Sequence, residues 1–119
     1  MSLRIASKVA KKSPHTQHKL GAVIVKGHRI LSTGYNEIRY SRFTKSPTLH
    51  AEASAILKLL KENRLGDLAG STIYVSRFTR GGRIGLAAPC SACHSLIRSV
   101  GITRVVYTLD GGGVETLEL

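Results

Sequence analysis

Residues 87–96, APCSACHSLI, hold the chain's only two cysteines, Cys90 and Cys93, spaced C-x-x-C with His94 directly behind them. That spacing suits three chemistries: covalent haem attachment, thiol–disulfide exchange, or half of a zinc site. Two cysteines so close together close only a tiny loop, so they form no disulfide framework, and a reducing cytoplasm is the simplest expected setting. Haem attachment normally accompanies export. The N-terminal stretch MSLRIASKVAKKSPHTQHK lacks the apolar segment and small-residue cleavage site of a secretory signal. His94 is read as a helix residue that packs or touches solvent.

A second cluster favours zinc. The string TLHAEASAI sets His50 and Glu52 at the head of a helix, two residues apart. One histidine, two cysteines and a glutamate that is not needed as a ligand make a three-ligand site with an open fourth position. Open positions belong to catalytic zinc, whereas structural zinc closes with four side chains. A structural site closed by His94 or another histidine is the competing arrangement.

These residues need elements to position them. Ile5, Ala6, Val9 and Ala10 form one stripe of a helix over residues 2–12, which Ser13-Pro14 stops. GAVIVKGHRILSTGYN reads as two strands joined by a turn at Gly27-His28, followed by a polar stretch over 37–48. A second helix runs over about 50–63, with Ile56, Leu59 and Leu60 on one face, and NRLG ends it. STIYVS (71–76) is a β-branched strand. Gly81, Gly82 and Gly85 mark the loop 77–88 as mobile or closely approached. Pro89 suits the first position of a third helix, where its missing N–H would be unpaired anyway. Leu96, Ile97 and Val100 form the buried face of that helix and Gly101 its C-cap. ITRVVYTL is a further strand, and VETLEL after DGGG leaves room for a last one. Strands alternating with helices predict an α/β sheet covered by helices, with sites at strand-to-helix junctions. His50 and Cys90 both lie at such junctions. The first turn of the third helix puts both sulfurs on one side, and its free N–H groups favour thiolate.

The length, 119 residues, suits a single domain spanning 1–119. Hydrophobic residues make up 42% and no apolar run approaches a membrane span, so no membrane partner is expected. Eighteen Lys and Arg against seven Asp and Glu give a net charge of +11. Most of the excess lies before His50, where Glu37 is the sole acid. Such a basic half attracts phosphate-bearing molecules or merely keeps the surface soluble.

The pair His50-Ala51-Glu52 and Pro89-Cys90-Ser91-Ala92-Cys93 completes H-x-E…P-C-x-x-C, a known signature of zinc deaminases. With LGAVIVKGHRILSTGYN before it and GITRVVYT after it, the chain resembles the cytidine deaminase-like superfamily over about residues 4–108. Its deoxycytidylate and other nucleotide deaminases are the most similar. The resemblance implies a three-layer α/β fold, with a mixed sheet of four to five strands flanked by helices. It also implies Zn2+ held by His50, Cys90 and Cys93. Glu52 would carry protons between water, the ring nitrogen and the leaving amine. Asn36 would bind the sugar, the backbone of Ala51 the base, and Tyr107 would stand beside the substrate. His15, His18 and Lys19, in the loop before the first strand, are candidate phosphate contacts, and Arg77, Arg80 and Arg83 form a second set. Self-association into a homo-oligomer is implied by resemblance alone.

A cytosine nucleotide or nucleoside is the expected substrate. The segments GITRVVY and GYN…HAE look more like deoxycytidylate deaminases than tRNA adenosine deaminases, which usually carry E-P-C where this chain has Ala87-Ala88 before Pro89. After Tyr107, LDGGGVETLEL has room only for a short antiparallel strand, as in free-nucleoside enzymes. The competing substrate is a base in single-stranded DNA or RNA, and the competing class is a non-catalytic, zinc-stabilised nucleic-acid binder. Aromatics at 5% and no Trp supply a stacking platform poorly, and an intact Glu52 speaks for an enzyme.

Overall fold

The computed structural model describes residues 2–14, 18–38, 48–79 and 81–119. In chain order it builds α1 (Ser2–Ala10), β1 (His18–Lys26), β2 (Arg29–Tyr35), α2 (Ala51–Lys61), β3 (Thr72–Thr79), β4 (Ile84–Gly85), α3 (Ser91–Ser99), β5 (Arg104–Thr108) and β6 (Val114–Glu118). A single 3-10 turn, Leu65–Leu68, links α2 to β3. The strands form one mixed sheet in the order β2-β1-β3-β5-β6, with β4 paired to β3. Among the described residues only β3 and β5 run parallel, because α3 carries the chain across between them. Six strands exceed the four to five expected. The extra one is β4, which folds Ile84 and Gly85 back onto Phe78 and Arg77 inside the segment read as a loop.

Alternation along β1 sorts the core into two layers. Ala22 and Ile24 face α2 and α3, together with Ile56, Leu59, Ile73, Val75, Ile97 and Val105. Val23 faces the other way and packs on Ala6 and Val9 of α1. Gly21 lies under α1 and Gly34 under α2, where any Cβ would meet helix backbone. The β1–β2 turn is Gly27-His28 as read, with Lys26 opposite Arg29 and Gly27 at φ 62°.

Several boundaries differ from the sequence reading. His18 and Lys19 belong to β1, not to the preceding loop. Leu60 is half-exposed, since α2 turns it away from the face formed by Ile56 and Leu59. Asn63 ends α2 in the left-handed region, φ 57°. Cys90 is the N-cap of α3, so Pro89 precedes the helix instead of opening it. At the other end Val100 is the C-cap, and Gly101 follows at φ 93°. The strand after DGGG forms, and β6 pairs antiparallel with β5. Among the described residues no helix is long and apolar enough to cross a membrane.

Candidate active site

The two helix starts meet at one end of the sheet. His50 caps α2 with extended backbone, φ −68° and ψ 153°, and Ser54 N–H bonds to its carbonyl. Cys90 caps α3 in the same conformation, and its sulfur accepts the Cys93 N–H at 3.4 Å. A cap residue turns its side chain back over the first turn, which brings Cys90 and Cys93 to one side of α3. His50 Nδ1 stands 3.3 Å from Cys93 Sγ and 3.7 Å from Cys90 Sγ. The three ligand atoms lie within 4.8 Å of one another.

These distances fit a zinc ion. Tetrahedral Zn–S and Zn–N bonds of about 2.3 and 2.0–2.1 Å imply S···N edges of roughly 3.6 Å, close to both separations. Charge agrees. Burial holds the His50 ring below its ordinary pKa, which keeps it neutral and able to ligate. Burial, and then the negative charges at Glu52 and Cys90, push the Cys93 thiol up. Desolvation therefore outweighs the helix end that the sequence suggested would favour thiolate. A dication between the three residues is what makes Cys93 thiolate tenable. Among the described residues no fourth His, Cys, Asp or Glu joins the group.

Glu52, two residues along α2, is only 2% exposed, and its Oε1 has no hydrogen-bond partner among the described residues. Burial raises its carboxyl to about 7, with its own backbone hydrogen bond offsetting part of the rise. A carboxyl poised there can both take and return a proton near neutrality.

A cavity of about 300 Å3 opens beside these groups, lined by His50, Ala51, Glu52, Cys90, Asn36 and His18 together with Leu20, Thr48, Arg77 and Ala88. Asn36 is 3% exposed and clasps the edge of β1: its Oδ1 accepts the Leu20 N–H at 2.9 Å and its Nδ2 donates to the His18 carbonyl at 2.7 Å. One N–H and one lone pair of the amide are left by those two bonds. Ser13 Oγ fixes the Asn36 carbonyl from behind, at 2.8 Å.

Two expected contacts lie away from the cavity lining. Lys19 follows His18 on the strand and so projects to the opposite face, where its Nζ bonds to the Ser13 carbonyl at 2.7 Å. Tyr107 sits across from Glu115 of β6 and hydrogen-bonds to its carboxylate. Arg83 is exposed outside the lining, and His15 and Arg80 lie outside the described residues. Leu20, Thr48 and Ala88 line the cavity unannounced by any motif. Strand alternation from His18 could have found Leu20.

Residues 1–109 match the family described as the cytidine and deoxycytidylate deaminase zinc-binding region. The deoxycytidylate deaminase of Mycobacterium phage D29 is 34% identical over 128 residues, covering 88% of this chain and 89% of that protein. Cytidine deaminase from Burkholderia pseudomallei superposes with a TM-score of 0.73 at 26% identity, over 98% of this chain and 89% of its own. Apo dCMP deaminase from cyanophage S-TIM5 superposes with a TM-score of 0.66 at 25% identity, over 91% of this chain and 79% of its own. A zinc-shaped His-Cys-Cys cluster, a match over nearly the whole chain and these shared folds lead to one assignment: the chain belongs to the cytidine and deoxycytidylate deaminases, a family of zinc-dependent hydrolytic deaminases.

Proposed function

We propose that this chain hydrolyses the exocyclic amine of a cytosine nucleotide or nucleoside, giving the uracil product and ammonia. The observation that carries the reading is Glu52: a wholly buried carboxyl, one oxygen unpartnered, beside a cavity that His50 and Cys90 also line. A structural zinc site would have no use for such an acid, because leaving it buried and unsatisfied costs stability.

His50, Cys90 and Cys93 would hold the Zn2+, which would supply the Lewis acidity that makes water a nucleophile at neutral pH. Glu52 would accept a proton from the attacking water as its oxygen bonds to C4 and deliver it to N3 of the base, then carry the second proton from the new C4 hydroxyl to the amine, so that the C4–N bond breaks and ammonia leaves. The balance is one water consumed and one ammonia released, with no redox partner. The backbone of Ala51, which lines the cavity in the first turn of α2 where N–H groups lack helical partners, would contact the base. Asn36, locked to β1 through one face of its amide, presents the remainder to the sugar. The substrates named for the phage and bacterial relatives, dCMP and cytidine, support the cytosine ring.

Ammonia release from cytidine, dCMP, dCTP, guanine and single-stranded oligonucleotides tests the proposal directly. Turnover confined to free cytosine compounds is expected. Turnover of the oligonucleotide alone would replace the small-molecule reading.

A further inference from the structure

The two helix starts that carry the zinc ligands are fixed in different ways. Cys90 caps its own helix, because its sulfur accepts the Cys93 N–H. His50 holds the same position on α2, but its ring is turned to the sulfurs and makes no cap bond. The first turn of α2 therefore lacks the side-chain cap that usually keeps a helix start from fraying. Glu37 grips that turn from outside the helix. Its main chain exchanges two hydrogen bonds with Leu49, the residue before His50, each 2.8 Å long. Its side chain reaches past His50 to Ser54, whose Oγ donates to Glu37 Oε2 at 2.9 Å. Ser54 in turn donates its N–H to the His50 carbonyl at 2.9 Å. One residue thus holds the chain immediately before the ligand and one turn after it.

We infer that Glu37 is a positioning residue for the zinc ligand His50, acting through the paired main chain of Leu49 and the hydroxyl of Ser54. The inference rests on His50 being a zinc ligand and not on the identity of the substrate. The grip comes from the side away from the chemistry. Asn36 and Glu37 are neighbours that face opposite ways: Asn36 lines the cavity beside Glu52, whereas Glu37 lines a separate one of about 310 Å3 with Ser54. Glu52 and Ser54, two residues apart on α2, likewise leave the helix on opposite sides. Ser54 is 2% exposed, so its hydroxyl needs an acceptor inside the protein. A helical serine deprived of one falls back on the carbonyl four residues earlier, which bends the helix. Here that carbonyl belongs to His50. The Glu37 carboxylate keeps the hydroxyl off it, so the turn that aims the ring stays straight.

Zinc affinity, read by competition with a chelator, tests the inference under conditions where circular dichroism shows each protein to be folded. The set is wild type, Glu37→Ala, Glu37→Gln, Ser54→Ala, the Glu37→Ala/Ser54→Ala double variant and Ser71→Ala. Ser71 buries a hydroxyl of the same kind, which donates to the Leu68 carbonyl at 2.7 Å outside both cavity linings. Ser71→Ala thus reproduces the loss of a buried bond without touching His50. Glu37→Ala should weaken zinc binding by roughly tenfold, the lower end of what outer partners of metal ligands contribute, because it acts through the backbone. Glu37→Gln keeps an acceptor oxygen and should restore affinity to within a few-fold of wild type. Ser54→Ala should weaken zinc as well. The double variant should lose no more than the worse single one, since both changes cut the same link. Unchanged affinity in Glu37→Ala overturns the inference, as does an equal loss in Ser71→Ala, in Glu37→Gln, or additive losses in the double variant. If Glu37→Ala does not fold, Ser54→Ala decides alone, and wild-type affinity there overturns the inference. No substrate enters these measurements. A chain that turns over no cytosine compound would lose the deaminase reading, while the zinc affinities would still judge Glu37.

Discussion

A Cβ built on Gly34 of β2 would stand 2.5 Å from the amide nitrogen of Ala55 on α2 and 2.6 Å from the carbonyl oxygen of Ala51. Helix and strand therefore meet backbone to backbone beneath the turn that carries His50 and Glu52. Ser32 Oγ bonds to the Ala55 carbonyl at 2.8 Å, and Lys58 Nζ bonds to the Thr33 carbonyl at 2.7 Å along the same line. The height of α2 above the sheet, and with it the reach of His50 toward the two sulfurs, is set by the missing side chain.

Gly34→Ala should consequently push α2 outward. Neither clashing partner is a flexible side chain, so the cost falls at the upper end of overpacking effects, about 3 kcal/mol. A urea titration should show a lowered midpoint, and zinc content per chain should fall with it. A variant as stable as the wild type with full zinc would show that the contact sets nothing.

Glu52→Gln replaces the buried carboxyl with a neutral amide of nearly the same shape. Fold and zinc content should persist while turnover drops by roughly 10²- to 10⁴-fold, the usual worth of a general acid–base group. Activity within a few-fold of wild type would remove Glu52 from the proton path.

The same substitution reads out the burial of Glu52 in zinc-free protein. Its native carboxyl titrates near 7, above its ordinary 4.5, so the native state binds more protons between those values than the unfolded state does. Stability from this group is thus present at low pH and lost as pH rises from about 4.5 through about 7, by roughly 3 kcal/mol in all. His50, held below its usual value, acts in the opposite sense as pH falls through its unfolded range. The stability difference between wild type and Glu52→Gln isolates the glutamate. That difference should move against the wild type as pH rises, and a flat difference would contradict the buried carboxyl.

The zinc cluster was legible because His50-Ala51-Glu52 and Pro89-Cys90-Ser91-Ala92-Cys93 complete a known signature, each half at a helix start, although the two halves lie far apart in the chain. Asn36 came from the family resemblance and not from its spacing; the structure puts it in the cavity lining. The cavity wall was less legible. Lys19 and His18 are neighbours in sequence, and only the start of β1 at His18 decides that one faces the cavity and the other Ser13. Ile84 and Gly85 of the Gly-rich segment form β4 against β3, and residues far along the chain brace them: Asp110 Oδ1 accepts the Leu86 N–H at 2.9 Å, and Gly111 N–H bonds to the Ile84 carbonyl at 3.1 Å. Nothing in the periodicity of residues 77–88 encodes that partner.

Zinc stoichiometry should be about one per chain and should fall sharply in Cys93→Ser. The buried Cys93 thiol ionises reluctantly by itself, so metal binding must drive off its proton. Calorimetric zinc titrations in buffers of different ionisation enthalpy should reveal net proton release, and zinc should be lost on acidification. Binding without proton release would mean that Cys93 is no ligand.

The last expectation concerns the basic half. Arg4, Lys8 and Lys11 are exposed one helical turn apart along and just beyond α1, and a strand of phosphates could lie against them. Base stacking would need exposed aromatic faces beside that row. Among the described residues the aromatics on this side are held in the sheet: Tyr35 packs into the layer beneath α1, Tyr74 of β3 lies half-buried on the same face opposite Val23, and the ring of Phe78 lies under Lys11 with its Nζ 5.7 Å from the ring centre. Binding of a labelled single-stranded oligonucleotide should therefore be electrostatic alone. Its log–log salt slope should be roughly −0.7 per phosphate contacted, and little should survive at physiological ionic strength. Arg4→Gln and Lys8→Gln should each make the slope shallower without altering dCMP turnover, since neither residue reaches the cavity. Saturable binding that persists at physiological salt, with deamination of the strand, would transfer the substrate assignment to nucleic acid.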